Sequence, residues 1–292
     1  MKALCFGSLN IDYTYSVEQF VRGGETRQAS AMKIYEGGKG LNQAIALSRA
    51  GLDAYMAGAV GNDGQFLLDF LRASKVSTEH VKVESGISTG HAIIQNDAQG
   101  DNCILLFGGA NRCIGEEHVK AVFENFGAGD WLLLQNEING LDLLIRTAKE
   151  KGMTIVLNPS PMEDNILSLP LECVDYLMVN EIEAAQILGH DGEGEGLALE
   201  LWQRYPDMTI VLTLGSQGSV CCRGGEINRC AAEKVSAVDT TAAGDTYTGF
   251  FVSAISRGQS VDEAMSLASR AAAISVTRRG ASPSIPDLSE VI

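Results

Sequence analysis

Short apolar runs recur along most of the chain and are separated by segments with helical spacing. Runs of the buried type occupy residues 3–6, 131–134, 155–157, 176–179 and 210–214. From residue 131 onward the order is strand, helix, strand, helix, which makes the strands parallel and the helices crossover connections. The pattern therefore predicts an α/β protein with a mostly parallel central sheet.

A different pattern, in which apolar and polar residues alternate, occurs outside this series. It is clear at residues 11–15 and weaker at 29–35, and two strand-like segments at 89–94 and 103–107 flank the turn-like residues 96–101. Alternation with period two is typical of strands that have one exposed face. We expect a small separate sheet. These residues alone leave open whether it is a plain surface hairpin or a lid over a ligand.

Length and composition are those of a globular protein. One α/β domain with a small appendage accounts for 292 residues, and 45% hydrophobic with 20% charged residues is globular composition. No apolar run approaches the roughly 20 residues that span a membrane. The apolar start at residues 3–6 is too short for a signal peptide. We therefore expect a cytoplasmic protein.

Charge and cysteine content exclude several classes of partner. The formal net charge of −15 argues against nucleic acids and anionic membranes, because Lys and Arg hold both of these. The seven cysteines have neither CxxC spacing nor histidine partners, so we expect reduced thiols rather than a disulfide framework or a zinc site. An anionic substrate must then be bound by local groups.

Polar residues follow several of the predicted buried strands. Asn10 and Asp12 follow the first strand, and Glu137 and then Asn180 with Glu183 follow later ones. One such residue is commonly a cap or a turn former. Several at the carboxyl ends of parallel strands lie along one edge of the sheet, where α/β proteins bind ligands. The spacing therefore predicts a site at this edge.

A glycine-rich segment, Gly37-Gly-Lys-Gly-Leu-Asn-Gln43, opens a predicted helix that runs through Arg49. Consecutive glycines permit a ligand to approach the backbone closely. Asn42, one turn into the helix, offers both a donor and an acceptor to hydroxyl groups. The segment lacks the Gly-x-x-x-x-Gly-Lys-Ser/Thr spacing of a P-loop, so we reject that interpretation.

The segment Asp239-Thr-Thr-Ala-Ala-Gly-Asp-Thr246 precedes an apolar helical run at residues 247–255. Small residues let the backbone turn tightly there, and the free N–H groups of a helix start suit phosphate oxygens. A carboxylate at Asp245 would repel a bound polyphosphate, so its presence fits a base that takes the proton of a hydroxyl attacking the phosphate. Asp is also a favoured N-cap. The segment by itself supports both interpretations of Asp245.

This segment, with its Asp-Thr-x-Ala-Ala-Gly-Asp core, is similar to the second signature of the ribokinase family of carbohydrate kinases, the phosphofructokinase B type. The segment 37–43 resembles the first signature of that family, and the likeness extends from Gly7 to Ser284. It implies a three-layer α/β/α fold with a mostly parallel central sheet and a small β-sheet lid.

The same resemblance implies a single kinase domain over residues 1–292, with the lid formed by about 12–36 and 89–108. In the family the apolar face of the lid often packs against a second subunit. A sheet as small as this one is not stable by itself, so one of its apolar faces needs a partner. We therefore expect a homodimer through the lids.

The resemblance further implies phosphoryl transfer at Asp245. The second signature of the family forms an anion hole that ends in the catalytic base, so Asp245 would take the proton of the attacking hydroxyl. Ala242, Ala243 and Gly244 would stabilise the transferring phosphoryl group. The implied sugar-contacting positions match most closely those of the members that phosphorylate D-ribose, and they are Asn10, Asp12, Gly38, Lys39, Asn42, Glu137 and Asp245.

Nucleotide and cation sites are implied in the same way. Glu183 would hold Mg²⁺ through water, and the Mg²⁺ would neutralise the charge of the β- and γ-phosphates. Ser269 stands where a larger Asn or His of the family often meets the adenine edge. The implied nucleotide residues are Asn180, Thr213, Gly215, Ser216, Gly218, Gly244 and Ser269. The implied site for a monovalent cation, K⁺, comprises Asp239, Thr241, Ser275, Arg278, Gly280 and Ser284.

The function that this resemblance implies is ATP-dependent phosphorylation of the primary hydroxyl of a small sugar, D-ribose first. Three rivals stay open. A member of the same family could act on a deoxysugar, a sugar acid or a nucleoside. A non-catalytic sugar or nucleotide sensor is disfavoured by the intact Asp245. A Rossmann-type dehydrogenase is disfavoured because no Gly-x-Gly-x-x-Gly follows the first strand.

Overall fold

The strands alternate with helices along most of the chain, as their apolar spacing predicts. A computed structural model describes residues 1–99 and 101–292, and this part of the chain contains 13 strands and 9 α-helices. The strands are β1 (Ala3–Phe6), β2 (Asn10–Ser16), β3 (Ala31–Gly37), β4 (Ala54–Gly61), β5 (Ser77–Glu84), β6 (Gly90–Asn96), β7 (Asn102–Phe107), β8 (Trp131–Gln135), β9 (Thr154–Asn158), β10 (Tyr176–Asn180), β11 (Thr209–Thr213), β12 (Ser219–Arg223) and β13 (Glu226–Cys230).

The helices are α1 (Lys39–Arg49), α2 (Gln65–Ala73), α3 (Glu116–Phe123), α4 (Leu141–Glu150), α5 (Glu181–Leu188), α6 (Gly194–Arg204), α7 (Ala243–Ser256), α8 (Val261–Val276) and α9 (Leu288–Val291). Four of these helices, α2, α4, α5 and α6, connect neighbouring strands of the central sheet. In the described part of the chain, no helix combines the length and the apolar character needed to cross a bilayer.

The central sheet has nine strands in the order β13-β12-β11-β10-β9-β8-β1-β4-β5. The seven strands from β11 to β5 are parallel, and β12 pairs antiparallel with both β11 and β13. Apolar residues cover both faces: Cys5 belongs to a core with α1, α7 and α8, whereas Leu4 and Phe6 belong to a second core with α3 to α6. The predicted three-layer α/β/α fold is confirmed.

Because neighbouring strands are parallel, their carboxyl ends lie along one edge of the sheet. The register places Gln135 beside Asn158 and Asn180 beside Thr213. The segment that follows β1 lies at the same edge, because Phe6 pairs with Leu134. The edge predicted from the sequence to bind a ligand is thus built from polar ends of several buried strands.

Helices α1 and α7 pack unusually closely at this edge. A Cβ atom on Gly249 of α7 would lie 2.4 Å from the Cβ atom of Ala46 of α1 and 2.8 Å from its carbonyl carbon. Such distances are far below van der Waals contact, so only glycine fits at this position. The close approach lets short side chains at the start of α1 reach the start of α7.

A separate sheet of four strands has the order β3-β2-β6-β7. The hairpin predicted at 89–107 is β6 and β7, and the predicted turn between them includes Gly100, which lies outside the described residues. Paired residues share a face of a sheet. Asp12 is paired with Tyr35 and Ala92, and Tyr13 with Ile34 and Ile93, so the two rows occupy opposite faces.

Candidate active site

Asp245 lies at the start of α7, but it is not the helix cap. The N-cap is Ala242, which adopts a left-handed conformation with φ of 59°, and Asp245 is the third residue of the helix. Its buried carboxylate accepts hydrogen bonds from Asn42 Nδ2 (3.0 Å) and Gln43 Nε2 (2.8 Å) of α1. The N-cap interpretation of Asp245 is therefore wrong, because this carboxylate is turned toward the neighbouring helix.

A cavity of about 250 Å³ opens beside the start of α7. Ala242, Ala243, Gly244 and Asp245 form one side of its wall. First-turn N–H groups of a helix have no intrahelical acceptor and attract anions. Ala243 N–H donates to Thr240 O (3.2 Å), so the N–H groups of Gly244 and Asp245 are the better placed donors in this structure.

The rest of the cavity wall comes from strand ends and from α1. Among the residues expected to bind a nucleotide, Asn180 and Thr213 line the cavity together with Gly244, whereas Gly215, Ser216, Gly218 and Ser269 do not. The Ser269 hydroxyl instead donates to Ala231 O (3.4 Å). The other lining residues are Lys39, Asn158, Ser160, Met178, Val179, Glu183, Thr240 and Thr248.

Asn180 and Glu183 form a capping box at the start of α5. Asn180 Oδ1 accepts from Glu183 N–H (2.9 Å), and Glu183 Oε2 accepts from Asn180 N–H (3.0 Å). Reciprocal bonds of this kind fix a helix start. They also hold the Glu183 side chain at the cavity wall with Oε1 outside the capping box. Asn180 and Glu183 therefore both stabilise the start of α5 and line the cavity.

Lys39 connects the cavity with the neighbouring polar pocket. Its backbone N–H donates to Glu137 Oε2 (3.0 Å), and its side chain lies in the cavity wall. Burial alone would lower the pKa of the Lys39 ammonium, but the carboxylates of Asp245, Glu137 and Glu183 together raise it above its ordinary value. The Lys39 side chain is thus a buried cation that three carboxylates keep charged.

The polar pocket on the other side of Lys39 is built by the segment after β1. The Ser8 hydroxyl donates to Glu137 Oε2 and accepts from Gly40 N–H (3.2 Å). Asn10 Oδ1 accepts from Asn111 Nδ2 (2.7 Å). The Asn111 side chain also accepts from Leu9 N–H through its Oδ1 and donates to Leu9 O through its Nδ2. These contacts hold Asn10 and Glu137 in place without using all of their oxygen lone pairs.

Asn42 occupies the junction between the polar pocket and Asp245. It donates to Asp245 Oδ2 (3.0 Å), and its Oδ1 accepts from the Ser282 hydroxyl (2.7 Å). Because the nitrogen of the Asn42 amide faces an acceptor and its oxygen faces a donor, the orientation of this side chain is determined. Gly38, the residue before α1, has a φ of 97° and brings the backbone close to Ser8 and Asn10.

Asp12 is a mostly buried carboxylate with no ion-pair partner in the described part of the chain. Burial and, to a smaller extent, the nearby Glu137 carboxylate together raise its pKa from 3.8 to about 7. The described residues donate no hydrogen bond to its oxygens. A buried group of this kind has its acceptor capacity available for a polar ligand.

The residues expected to surround a monovalent cation come together beside α7. Asp239 Oδ1 accepts from the hydroxyl and N–H of Thr241 (2.6 and 2.9 Å), and Oδ2 accepts from Gly280 N–H (2.9 Å). Burial would raise the pKa of Asp239, but these hydrogen bonds lower it below its ordinary value. Ser275 and Ser284 are fully buried nearby, whereas the Arg278 side chain forms an ion pair with Glu290 (2.6 Å) at the surface.

The site also contains residues that the sequence analysis did not select. Ser8 and Ser282 support Glu137 and Asn42, respectively, through hydroxyl bonds. Gln43 and Gln135 are fully buried amides, and each stands next to an asparagine in the sequence. Nothing in the sequence identified their hydrogen-bond partners, which lie more than 90 positions away.

Comparison with known proteins places this site in a family. The family model "pfkB family carbohydrate kinase" matches residues 1–288. Ribokinase of Haemophilus influenzae is 36% identical, with 98% of this chain and 95% of that protein covered. The crystal structure of ribokinase from Cryptococcus neoformans in complex with ADP has 32% identity and a TM-score of 0.88, covering 99% and 98% of the two chains.

A second solved structure carries both substrates. Arabidopsis thaliana ribokinase complexed with ribose and ATP is 28% identical and superposes with a TM-score of 0.87, and 99% of this chain and 97% of that chain are covered. The family model and these relatives span nearly the entire chain, so the match includes the central sheet, the four-stranded sheet and the segment around Asp245. The chain belongs to the pfkB family of carbohydrate kinases.

Proposed function

We propose that this protein transfers the γ-phosphoryl group of ATP to the primary 5-hydroxyl group of D-ribose and releases ribose 5-phosphate. Family membership makes it a phosphotransferase that acts on an alcohol group. The observation that carries the proposal is the buried Asp245 carboxylate at the start of α7, beside a cavity on one side and the Asn42 amide on the other. The relatives named ribokinase and the complex with ribose and ATP support this choice of substrates.

In this proposal Asp245 is the general base. Its carboxylate accepts the proton of the sugar hydroxyl as that oxygen attacks the γ-phosphorus, and the bond to the bridging oxygen of ADP breaks. Ala242 turns the chain, Ala243 opens the helix, and the N–H groups of Gly244 and Asp245 are the proposed donors to the transferring phosphoryl group, which the helix dipole also favours. Lys39 adds a fixed positive charge at the same cavity wall.

The sugar is proposed to occupy the polar pocket on the far side of Lys39. Asp12 offers carboxylate oxygens that the described residues leave unbonded, and Glu137 and Asn10 offer their remaining lone pairs. Sugar hydroxyls donate well to such acceptors. Asn42, which donates to the base, is proposed to contact the sugar as well, and the backbone at Gly38 and Lys39 is proposed to complete the set.

The nucleotide is proposed to lie along the strand ends, with its phosphates in the cavity and its base beyond it. Asn180 and Thr213 line the inner part, and the turn Gly215–Gln217 with Gly218 continues outward. Ser269, which stands where the family resemblance implies the adenine edge, is proposed to mark the outer end. Binding along strand ends is the general rule for ligands of α/β sheets.

Mg²⁺ with ATP fits the residues at this cavity. Mg²⁺ commonly uses one or two carboxylates, water and substrate phosphates rather than a full protein cage. Glu183 supplies an oxygen that its capping box does not use, and the described residues contain no cluster of three metal-binding side chains that would suit a protein-only cage. When bound, the ion would neutralise charge on the β- and γ-phosphates.

The proposal is tested by coupled ADP-release assays across pentoses, deoxysugars, hexoses, sugar acids and nucleosides. We expect D-ribose to give the highest kcat/KM with Mg-ATP. A nucleoside or a sugar acid that exceeds ribose would keep the kinase assignment and change the substrate. No stimulation of turnover by any alcohol substrate would overturn the enzyme assignment itself.

K⁺ activation is a further part of the proposal. Asp239 joins the segments 239–241 and 278–280, and the hydrogen bonds that stabilise its carboxylate hold these loops beside the start of α7. Backbone carbonyls of the two loops, with Ser275 and Ser284, are the proposed surroundings of the ion. We expect the rate to rise when KCl replaces tetramethylammonium chloride at equal ionic strength. Equal rates in the two salts would contradict the cation site.

The four-stranded sheet is proposed to be a lid and a dimer interface. Its face with Asp12 covers the sugar pocket, whereas the opposite face carries a row formed by Ile34, Tyr13, Ile93 and Leu105. Leu105 is 67% exposed and Phe107 54%. A contiguous apolar face of this kind marks an interaction surface.

The dimer is tested by light scattering. We expect the wild-type protein to have the mass of two chains at micromolar concentration, because pairing of two lids covers both apolar faces. Leu105→Glu places a charge in that interface and is expected to give monomers. Leu167→Glu, at an exposed leucine outside the lid, is the control and should remain dimeric. A monomeric wild-type protein would remove the dimer from the proposal.

The cytoplasmic location stays a prediction. All seven cysteines are free thiols, and Cys5, Cys221 and Cys222 are buried. Reduced cysteines are typical of a reducing compartment.

A further inference from the structure

Gln43 is one of the buried polar residues of helix α1, and its side chain is fully bonded. Its exposed fraction is 0%, the same as that of its neighbours Leu41 and Ala44. The amide nitrogen donates to Asp245 Oδ1 (2.8 Å) and to Asn158 Oδ1 (3.2 Å). The amide oxygen accepts from Gln135 Nε2 (2.6 Å). Burying such an amide is costly unless every bond is made, and here the bonds converge on the carboxylate.

The direction of these bonds is set by the carboxylate. An ionised Asp245 only accepts hydrogen bonds, so the Gln43 amide must turn its nitrogen toward Oδ1 and its oxygen away. That oxygen then requires a donor, which Gln135 supplies. If the nitrogen and oxygen of the Gln135 amide exchanged places, the amide oxygens of Gln135 and Gln43 would face each other. The chain Gln135 to Gln43 to Asp245 is therefore complementary to the basic form of the carboxylate.

Gln135 is itself held without freedom to turn. It ends β8, is fully buried, and its Oε1 has no hydrogen-bond partner among residues 1–99 and 101–292. A Cβ atom on Gly7 would lie 2.1 Å from this oxygen, so only glycine leaves space for the Gln135 side chain. A buried oxygen without a hydrogen bond is destabilising, yet the arrangement keeps the Gln135 donor directed toward Gln43.

We infer that Gln43 is a positioning residue for the base, with Gln135 as its support. Asn42 fixes Oδ2 and Gln43 fixes Oδ1, so the carboxylate plane cannot rotate about its χ2 torsion. The remaining lone pairs then stay aimed at the attacking hydroxyl. General-base catalysis depends on this alignment, because a displacement of about 1 Å can lower the rate by about 10²-fold. The inference rests on the proposed function, because it assigns Gln43 a task only if Asp245 is the base.

Gln43 differs from Asn42 in what it can touch. Gln43 is excluded from solvent and is not part of the cavity wall, so it reaches neither ligand directly. A residue that acts only on the base should change kcat and leave the KM values for both substrates nearly unchanged. A residue that merely supports the fold would change the stability, or the KM values and kcat together.

The test uses Gln43→Met, which keeps the length of the side chain and removes the amide. We expect kcat to fall by about 10- to 100-fold, with KM for ribose and for ATP within about 3-fold of wild type. Gln135→Met, which leaves the bond between Gln43 and Asp245 in place, is expected to lower kcat by about 2- to 5-fold. Gln203→Met, at an exposed position of α6, is the control for the substitution and should be neutral.

The decisive measurement repeats both substitutions in an Asp245→Asn background. Without a base to position, Gln43→Met and Gln135→Met should change the residual kcat by less than about 2-fold. A wild-type kcat for Gln43→Met, or an equal loss in both backgrounds, overturns the inference. If Gln43→Met does not fold, the same comparison with Gln135→Met decides. An inactive wild-type enzyme would instead refute the proposed function, so the two failures are distinguishable.

Discussion

Replacing Asp245 by asparagine is expected to lower kcat by on the order of 10²- to 10⁴-fold, the usual contribution of a general base. Asparagine has nearly the same shape but cannot take up the proton of the attacking hydroxyl. The KM values for ribose and ATP should change much less than kcat, because the lost interaction belongs to the transition state. Steady-state kinetics of the purified variant measure both parameters.

The Asp245→Asn substitution should also lower the stability of the folded protein, although asparagine and aspartate have nearly the same shape. Both carboxylate oxygens of Asp245 accept from amide nitrogens, so the NH₂ group that Asp245→Asn introduces must face a donor of either Asn42 or Gln43. Such a mismatch typically costs about 1–3 kcal/mol, and we expect a lower thermal midpoint. Circular dichroism before the assay separates this loss from the loss of rate.

Asp262→Asn is a matched control for this substitution, because Asp262 is also in the first turn of a helix and is exposed. It should keep full activity. An Asp245→Asn enzyme that folds and keeps more than about a tenth of the wild-type rate would contradict the role of base.

The start of α7 shows how much local sequence can reveal. Small residues before an apolar helical run predicted the loop and the helix, and the structure has α7 at Ala243–Ser256. The same residues could not decide between a cap and a base at Asp245. That decision depends on where the N-cap falls, and on side chains of α1 that are 202 and 203 positions away.

Long-range side-chain contacts were the part that the sequence could not provide. The bond between Gln43 and Asp245 requires α1 and α7 to pack closely, and this packing depends on the contact between Gly249 and Ala46. A glycine inside a helical pattern signals close packing but does not identify its partner. The polar positions in α1 were visible, whereas their acceptors became known only from the fold.

The local role of Asn180 and Glu183 could have been found from sequence. An Asn followed three residues later by Glu at a helix start is a capping-box pattern. The family resemblance implied roles for these residues near the nucleotide phosphates and Mg²⁺, and the structure shows that they also form the capping box. Alternation with period two predicted a small separate sheet, and only the family resemblance implied that this sheet is a lid. Which residues share a face of the sheet follows from its register, in which Asp12 is paired with Tyr35 and Ala92.

Replacing Asp12 by asparagine is expected to weaken sugar binding by about 30- to 150-fold, because hydrogen bonds to a charged acceptor contribute about 2–3 kcal/mol. The carboxylate of Asp12 has no donor within the described residues, so sugar hydroxyls are its proposed partners. The effect should be seen in KM for ribose and in isothermal titration with ribose. Asp207→Asn, at an exposed site of the loop before β11, is the control and should bind normally.

The pH dependence of the wild-type enzyme should reveal the same carboxylate. The pKa of Asp12 is about 7 in the folded protein, so the acceptor is lost by protonation as the pH falls below that value. We expect kcat/KM for ribose to decrease from about pH 8 to about pH 5.5. In the Asp12→Asn variant, the part of this decrease that is due to Asp12 should be absent.

The same substitution should make the free protein more stable at about pH 8. The unfolded chain releases the Asp12 proton near the ordinary pKa of 3.8, whereas the folded protein holds it up to about pH 7. Between these values the folded state binds more protons, so the contribution of Asp12 to stability falls as the pH rises. Above about pH 7 the full penalty is present, on the order of 2–4 kcal/mol. Asp12→Asn removes this charge, and we expect its thermal midpoint to exceed that of wild type at about pH 8 and the difference to shrink toward about pH 5. A variant that is less stable than wild type at the higher pH would show that the Asp12 carboxylate is not strained by its burial.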